Sequence, residues 1–204
     1  MKQIVRSGEA EVVVKKSRFI GEAHLIQSEE EAAALIAETR KKYYDARHVC
    51  YAYSLGEKNP ALKFSDDGEP KGTAGKPILD VVTGSDIMNI LIIVTRYFGG
   101  TLLGTGGLVR AYSDAAKEAL ANAEVGELIS CVKRCFRFAY PEYDKIRFLL
   151  EKEEITDFET EYGSDISITV YIPEDKDEDI LKKITDTTKG QVSSEELGRE
   201  TVCR

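Results

Sequence analysis

The sequence predicts an α+β protein of two domains, covering residues 1–126 and 127–204. Three observations support this prediction. The chain of 204 residues is long enough for two small domains that each bury a core. The order of predicted strands and helices changes after Gly126. The net charge also changes, from −2 over residues 1–128 (16 basic and 18 acidic side chains) to −6 over residues 129–204 (12 basic and 18 acidic).

The first domain is predicted from hydrophobic periodicity and from helix boundary signals. The segment Ser28-Glu29-Glu30-Glu31 is a capping box that begins a helix running to about Lys42. The run ILIIV at residues 90–94 is long and β-branched enough for a buried central strand. Pro77 and Gly84 mark the two ends of a short helix. The other predicted elements are strands at residues 11–14, at residues 19–26 and in the alternating segment DARHVCYAYSLG, and a helix at residues 108–124.

The second domain is predicted to follow the order βαββαβ, the split pattern of ferredoxin-like domains. The segment Tyr162-Gly163-Ser164 supplies the turn between its two middle strands. The predicted elements are a strand at residues 129–140, a helix at 142–152, strands at 155–162 and 165–172, a helix at 178–188 and a strand at 191–197.

Composition and charge restrict the classes of protein. No stretch approaches the length of a membrane span and residues 1–19 lack the apolar region of a signal peptide, so we expect a cytoplasmic protein with no membrane partner. The four cysteines are scattered, and Cys131 and Cys135 have no histidine nearby, so we expect reduced thiols and no metal or cofactor. Because the second domain is acidic, any nucleic-acid contact should belong to the first.

The segment RYFGGTLLGTGGLVRAY at residues 96–112 places five glycines between the predicted central strand and the following helix. It matches neither the dinucleotide-binding pattern nor the P-loop. Thr105, Gly106 and Gly107 nevertheless lie where free backbone N–H groups begin a helix, with Arg96 before the loop and Arg110 in the first turn. These five residues predict a cradle for a phosphate-like anion. The alternative is a tight corner whose glycines serve only close packing.

A second segment, EKNPALKFSDDGEPKGTAGKP at residues 57–77, is too long and too rich in glycine and proline for an incidental turn. Thr73, Gly75 and Lys76, together with Lys71, could add donors to the anion cradle if the two loops meet in space. Asp66 and Asp67, with Glu69, lack the alternate spacing of a calcium loop, and Asp-Gly-Glu-Pro is also favourable turn chemistry. We therefore predict no metal at these carboxylates.

His48 is the candidate for acid–base chemistry, with Asp66 or Asp67 as its carboxylate partner. The alternative, which we favour, is a structural histidine that is satisfied by backbone or by one of those carboxylates. The sequence contains no serine or cysteine nucleophile signature, so hydrolytic catalysis has no support.

The motifs together resemble those of the YigZ/IMPACT family. KKSRFIG, DARHVCYAY, FSDDGEPKGTAGKPIL and VTRYFGGTLLGTGGLVRAYSDAAKEAL occur in this order over residues 15–121. The resemblance implies that the first domain has the left-handed βαβ fold of the ribosomal protein S5 domain 2-like class, as in elongation factor G domain IV. It also implies a bacterial-type member whose second domain is the ferredoxin-like domain, similar to another elongation factor G domain.

The resemblance implies that eukaryotic relatives are translational regulators, which restrain the activator of a stress-responsive initiation-factor kinase through protein contacts. The elongation-factor similarity suggests RNA or ribosome binding, although a first domain at −2 has a weak electrostatic signal for it. We favour a non-catalytic binding protein that docks RNA, the ribosome or a protein of the translation machinery. The alternative is an enzyme that acts on a phosphorylated or anionic small molecule at the glycine-rich loop.

Overall fold

The computed structural model describes residues Met1–Cys203, and the chain divides into two compact units, Met1–Glu127 and a second that begins at Leu128. Each unit combines helices with an antiparallel sheet, which confirms the predicted α+β class. In chain order, the first unit contains β1 (Lys2–Arg6), β2 (Gly8–Val14), β3 (Ser17–Leu25), α1 (Glu29–Lys42), β4 (His48–Leu55), β5 (Ala61–Ser65), α2 (Gly75–Gly84), β6 (Ile87–Met88), β7 (Ile90–Tyr97) and α3 (Gly104–Ala121).

The main sheet of the first unit has the strand order β2-β3-β7-β4-β5, with β7 at its centre. Ile90, Ile92 and Val94 of β7 pack in one cluster with α2 and α3, whereas Leu91 and Ile93 pack in a second cluster with residues around α1. Both faces of the central strand are therefore buried. This explains why its sequence is continuously apolar rather than alternating.

Helix α1 begins as predicted, because the Ser28 hydroxyl accepts a hydrogen bond from the Glu31 backbone N–H at 3.1 Å. The second half of the capping box differs from the usual pattern. The Glu31 carboxylate accepts from the backbone N–H of Gln27 at 2.6 Å, one residue before the cap.

The second unit has the predicted ferredoxin-like topology. Its elements are the part of β8 (Glu124–Phe138) that follows Glu127, α4 (Tyr143–Lys152), β9 (Phe158–Tyr162), β10 (Ile166–Pro173), α5 (Asp177–Thr187) and β11 (Val192–Cys203). The strand order is β11-β8-β10-β9, all antiparallel. Its core packs the inward side chains of β8 and β10, such as Phe136 and Ile168, against Ile146 of α4 and Ile180 of α5.

Several predicted boundaries were wrong. Helix α3 begins at Gly104 and not at residue 108, since its four-residue start GTGG is poor in helix formers and gave no periodic signal. Helix α2 begins at Gly75, two residues before Pro77. The loop predicted at residues 57–77 contains the edge strand β5, which pairs with β4. Strands β1 and β6 were not predicted, because they are short and half exposed.

Candidate functional site

Strand register places two predicted site residues, Arg96 and His48, in one row with the core residue Phe19 across the sheet of the first unit. Arg96 of β7 lies opposite Phe19 of β3 on one side and opposite His48 of β4 on the other. Directly opposed residues in antiparallel strands share a face. This row lies near the end of β7, which leads directly into the glycine-rich segment.

A buried polar network forms above this row. The Glu69 carboxylate, from the loop after β5, accepts at Oε1 from Arg96 Nη1 at 2.5 Å and from the Tyr112 hydroxyl of α3 at 2.9 Å. The Glu69 and Arg96 side chains are only 4% and 6% exposed. The Arg96 guanidinium also lies 5.4 Å from the Phe19 ring centroid. Opposite charges in direct contact offset the cost of burying each of them, so this pair ties the loop and the strand together.

His48 is anchored at one ring nitrogen. Its Nδ1 lies 2.7 Å from the backbone carbonyl oxygen of Asp67, which can only accept, so Nδ1 carries the proton. The other nitrogen, Nε2, lies 3.9 Å from Oε1 of Glu69. The ring is thus oriented by the loop, with Nε2 turned toward the buried carboxylate.

Asp66 and Asp67, the candidate acid–base partners of His48, hold the loop instead. The Asp66 carboxylate accepts from the backbone N–H groups of Gly72, Ala74 and Gly75 at 2.8–3.0 Å, and so caps the start of α2 from outside the helix. Asp67 binds Arg40 with both oxygens, at 3.1 and 2.7 Å, and accepts from the Val49 N–H at 2.7 Å.

The electrostatics of Asp67 follow from these contacts. Burial raises its pKa, but the hydrogen bonds from Arg40 and Val49 outweigh that effect and hold the pKa below its ordinary value. Asp67 is therefore a charged structural anchor, and its side chain does not contact the His48 ring in the manner of a catalytic pair. The histidine hydrogen-bonds the backbone of Asp67 and not its carboxylate.

The thiol and phenol beside the network stay protonated. Burial raises the pKa of Cys50 to about 12, although the Tyr112 hydroxyl, whose oxygen lies 3.4 Å from the sulfur, acts in the opposite direction. Burial also raises the pKa of Tyr112 well above its ordinary value. The Tyr112 hydroxyl can therefore donate to Glu69, while the Cys50 thiol donates to the Asp66 carbonyl at 3.1 Å.

Different structural constraints explain different glycines of the glycine-rich segment. A Cβ on Gly99 would lie 2.1 Å from the backbone carbon of Lys16, so only glycine permits this close approach to the β2–β3 turn. Gly104, the first residue of α3, has a φ of +72° that other residues rarely adopt. Gly106 has neither constraint: apart from its chain neighbours and the backbone of its own helix, no atom of the described residues lies within 4 Å of the Cβ position, and its φ is not positive.

A cleft of about 360 Å³ opens over the network. Its floor contains His48, Glu69 and Arg96, and its walls come from the loop residues Gly68 and Pro70 and from the start of α3. Phe98 and Leu102 form an apolar rim and are 40% and 83% exposed. The full lining is Arg47, His48, Gly68, Glu69, Pro70, Arg96, Phe98, Leu102, Leu103, Gly104, Thr105 and Leu108.

The structure therefore brings some of the predicted site residues together and leaves others apart. His48, Arg96 and Thr105 line the cleft. Gly106 and Gly107 belong to the first turn of α3 but do not line it. Arg110 is exposed on the same helix, also outside the lining.

The basic residues of the long loop also lie outside the lining. Lys76 pairs with Asp80, one turn further along α2, at 2.5 Å. The Thr73 hydroxyl donates to the carbonyl of Pro70 at 2.7 Å and is not free for a ligand. Lys71 is exposed and directly follows Pro70. Anion binding by these residues stays a prediction.

Sequence reasoning missed three charged or aromatic residues of the cleft lining, Glu69, Phe98 and Arg47. Glu69 was noted as a loop carboxylate, but nothing in the sequence indicated that it pairs with Arg96, 27 positions away. Phe98 belongs to the apolar rim, and the guanidinium of the exposed Arg47 lies 5.8 Å from its ring centroid. Arg47 and Phe98 could have been found from their positions, because each lies at the end of a strand next to or near a predicted site residue.

Comparison with known proteins places the chain in a family. Residues 15–120 match the Impact N-terminal domain, and residues 136–191 match a domain of unknown function, DUF1949. The chain belongs to the IMPACT family. This confirms the resemblance found in the sequence.

The relatives include bacterial proteins of similar length. The IMPACT family member YvyE of Bacillus subtilis (strain 168) is 34% identical over 193 residues, which cover 92% of this chain and 87% of the relative. An IMPACT family member of Thermus thermophilus is 36% identical over 181 residues, 88% of this chain and 98% of the relative. A Dictyostelium discoideum Protein IMPACT homolog is 36% identical over 97 residues, 46% of this chain and 28% of that protein.

Solved structures resemble the chain as well. The crystal structure of a hypothetical protein aligns with a TM-score of 0.61 and 31% identity, covering 97% of each chain. The two-domain translational regulator Yih1 aligns with a TM-score of 0.41 and 25% identity, over 58% of this chain and 48% of that one. Among residues 1–203, no helix has both the length and the hydropathy needed to cross a bilayer.

Proposed function

We propose that this protein is a non-catalytic binding protein with a translation-related regulatory role, which docks a component of the translation machinery through the cleft of its first unit. The observation that carries the proposal is the combination of an exposed rim, Phe98 and Leu102, with a floor whose charged groups are already paired. Such a surface presents apolar and aromatic area at its edge without an activated nucleophile at its base. That arrangement suits recognition.

The chemistry of the lining supports binding over catalysis. Thr105 carries the one side-chain hydroxyl of the lining, which contains no cysteine or serine. The carboxylates of Asp66 and Asp67 are occupied by backbone N–H groups and by Arg40, which leaves them unsuited to proton transfer. Family membership adds support, since the resemblance implies that eukaryotic members are translational regulators.

Cosedimentation with ribosomes tests the proposal. We expect the full chain to move with ribosomal particles of a bacterial extract in a sucrose gradient, and Leu102→Glu to reduce the bound fraction at least fivefold. Leu197→Glu is the matched control, because Leu197 is also an exposed leucine (49%) but lies on β11. A bound fraction that is equal in all three proteins, or absent in all three, would contradict docking through the cleft.

A second candidate is an enzyme that acts on an anionic small molecule. The observation that favours it is the anchored His48 ring, whose Nδ1 is held by the Asp67 carbonyl so that Nε2 is the free basic nitrogen. His48→Gln keeps a side chain of polar character there and removes the base. Phosphorus NMR can follow the turnover of phosphorylated metabolites by the protein. Turnover that occurs with the unmodified chain and is lost in His48→Gln would favour this function over the first.

A further inference from the structure

We propose that the cleft of the first unit holds a single unpaired nucleotide of RNA, with its phosphate at the start of α3 and its base against Phe98. This inference rests on the proposed function and names the class of partner. It starts from the size of the cleft. A volume of about 360 Å³ lies in the range of sites for small ligands, and suits one nucleotide rather than a duplex or a folded protein segment.

One end of the cleft offers donors to an anion. Gly104 and Thr105 line it, and the first-turn backbone N–H groups of α3 receive no side-chain cap. Uncapped N–H groups at a helix start attract phosphate through hydrogen bonds and the helix dipole. The exposed Arg47 side chain lies at the same cleft and forms no ion pair within residues 1–203, so its charge is available to the same anion.

A second observation points to a ligand independently of the helix. Arg96 lines the cleft, is 5% exposed, and its Nε has no hydrogen-bond partner among the described residues. A buried guanidinium N–H without a partner is costly, and such costs are tolerated at binding sites. The charge of Arg96 is balanced by Glu69, so the guanidinium is held rigidly at the floor.

The floor of the cleft offers groups that suit a nucleoside. Both hydrogen bonds to Glu69 reach Oε1, which leaves Oε2 as an acceptor for a ribose hydroxyl or an exocyclic amine. Nε2 of His48 is a second acceptor nearby. An acceptor-rich floor disfavours an inorganic anion there, because carboxylate and anion repel.

The rim suits a base. Phe98 is 40% exposed, with guanidinium groups of Arg47 and Arg96 at 5.8 and 5.6 Å from its ring centroid. Proteins stack unpaired bases on aromatic rings and on guanidinium planes. A base in a duplex cannot reach such a ring, so this geometry selects single strands.

Fluorescence anisotropy with a labelled single-stranded RNA 12-mer tests the proposal on the full chain. The same 12-mer paired with its complement is the comparison. We expect the single strand to bind at least tenfold more tightly than the duplex. Phe98→Leu, which keeps apolar bulk and removes the ring face, should weaken single-strand binding at least fivefold. Phe148→Leu is the matched control, since Phe148 is an exposed phenylalanine (70%) on α4.

Salt dependence tests the phosphate end. The logarithm of the RNA association constant falls with the logarithm of the salt concentration. Arg47→Ala should make this slope less steep by about 0.7, the value for one phosphate contact on a single strand. Lys117→Ala is the control, because Lys117 is exposed on α3 and does not line the cleft. Adenosine monophosphate should compete with the RNA, whereas inorganic phosphate or a phosphoserine peptide at the same concentration should not.

Three results would each overturn the inference: equal affinity for single strand and duplex, equal loss in Phe98→Leu and Phe148→Leu, or equal competition by the phosphoserine peptide. The last would assign the cleft to a phosphorylated protein partner. Ribosome cosedimentation that persists despite any of these results would leave the proposed function intact. Melting temperatures within 2 °C or so of the parent show that the variants are folded.

Discussion

Removing the arginine of the buried ion pair should destabilise the first unit strongly. Arg96 and Glu69 are 6% and 4% exposed, with Nη1 and Oε1 2.5 Å apart. Arg96→Met fills similar volume but leaves the Glu69 carboxylate buried with the Tyr112 hydroxyl as its remaining donor. An uncompensated buried charge of this kind costs about 3–5 kcal/mol of unfolding free energy.

The companion variants determine whether the cost arises from the pair. Glu69→Gln keeps a carbonyl acceptor for Arg96 and Tyr112 but leaves the Arg96 guanidinium buried without a counter-charge, so we again expect a loss of about 3–5 kcal/mol of unfolding free energy. The double variant Arg96→Met, Glu69→Gln leaves no buried charge. It should therefore cost at least about 2 kcal/mol less than the sum of the two single variants.

Urea unfolding at neutral pH, followed by circular dichroism, measures all four proteins. The m-value must stay constant across the set for the free energies to be compared. Additivity of the two single losses to within about 0.5 kcal/mol would refute the reasoning, because it would mean that the two side chains stabilise the fold independently.

Four further outcomes are expected. Gly99→Ala should lower the unfolding free energy by about 1–3 kcal/mol or more, because its Cβ would clash with backbone atoms. Gly106→Ala should raise the unfolding free energy by up to about 1 kcal/mol, because alanine has the higher helix propensity. Equal effects of the two substitutions in urea unfolding would contradict the different roles given to these glycines. The pKa of Asp67 is lowered in the folded state, so the stability that its carboxylate contributes is present above the unfolded pKa of about 3.9 and is lost as pH falls through the folded pKa. Asp67→Asn should therefore reduce the loss of unfolding free energy on acidification. An unchanged dependence of stability on acidic pH would argue against the ion pair with Arg40 as an anchor. Because the pKa of Cys50 is raised to about 12, iodoacetamide at pH 8 should label this thiol only after denaturation. Mass spectrometry of tryptic peptides measures the labelling. Labelling of Cys50 in the folded protein would contradict the burial of this thiol. Residues 1–126 expressed alone should fold, and a random-coil circular dichroism spectrum would disprove the proposed domain boundary.

Several local features follow from the sequence because they depend on neighbouring residues. The capping box at Ser28, the buried central strand at residues 90–94 and the βαββαβ order of the second unit are all fixed by short-range periodicity and boundary signals. The family was also recognisable from the motifs alone, since they lie within one contiguous stretch, residues 15–121.

The starts of α2 and α3 could not be predicted in the same way. Glycines begin both helices, and glycine has low intrinsic helix propensity. The missing signal comes from tertiary contacts: the carboxylate of Asp66 caps α2 from eight and nine positions away, which no local capping rule anticipates.

The composition of the cleft was decided by tertiary structure. His48 and Arg96 become neighbours through antiparallel register, and Glu69 reaches Arg96 because the loop folds back over the sheet. The sequence by itself determined the elements other than the short strands β1, β5 and β6, and it determined which two segments are rich in polar residues and glycines. Only the fold decided that Asp66 and Asp67 hold the loop while Glu69 pairs with Arg96. The energy of a charge pair depends on the distance between the two groups and on their burial. Residue spacing along the chain specifies neither quantity for residues that are far apart in sequence.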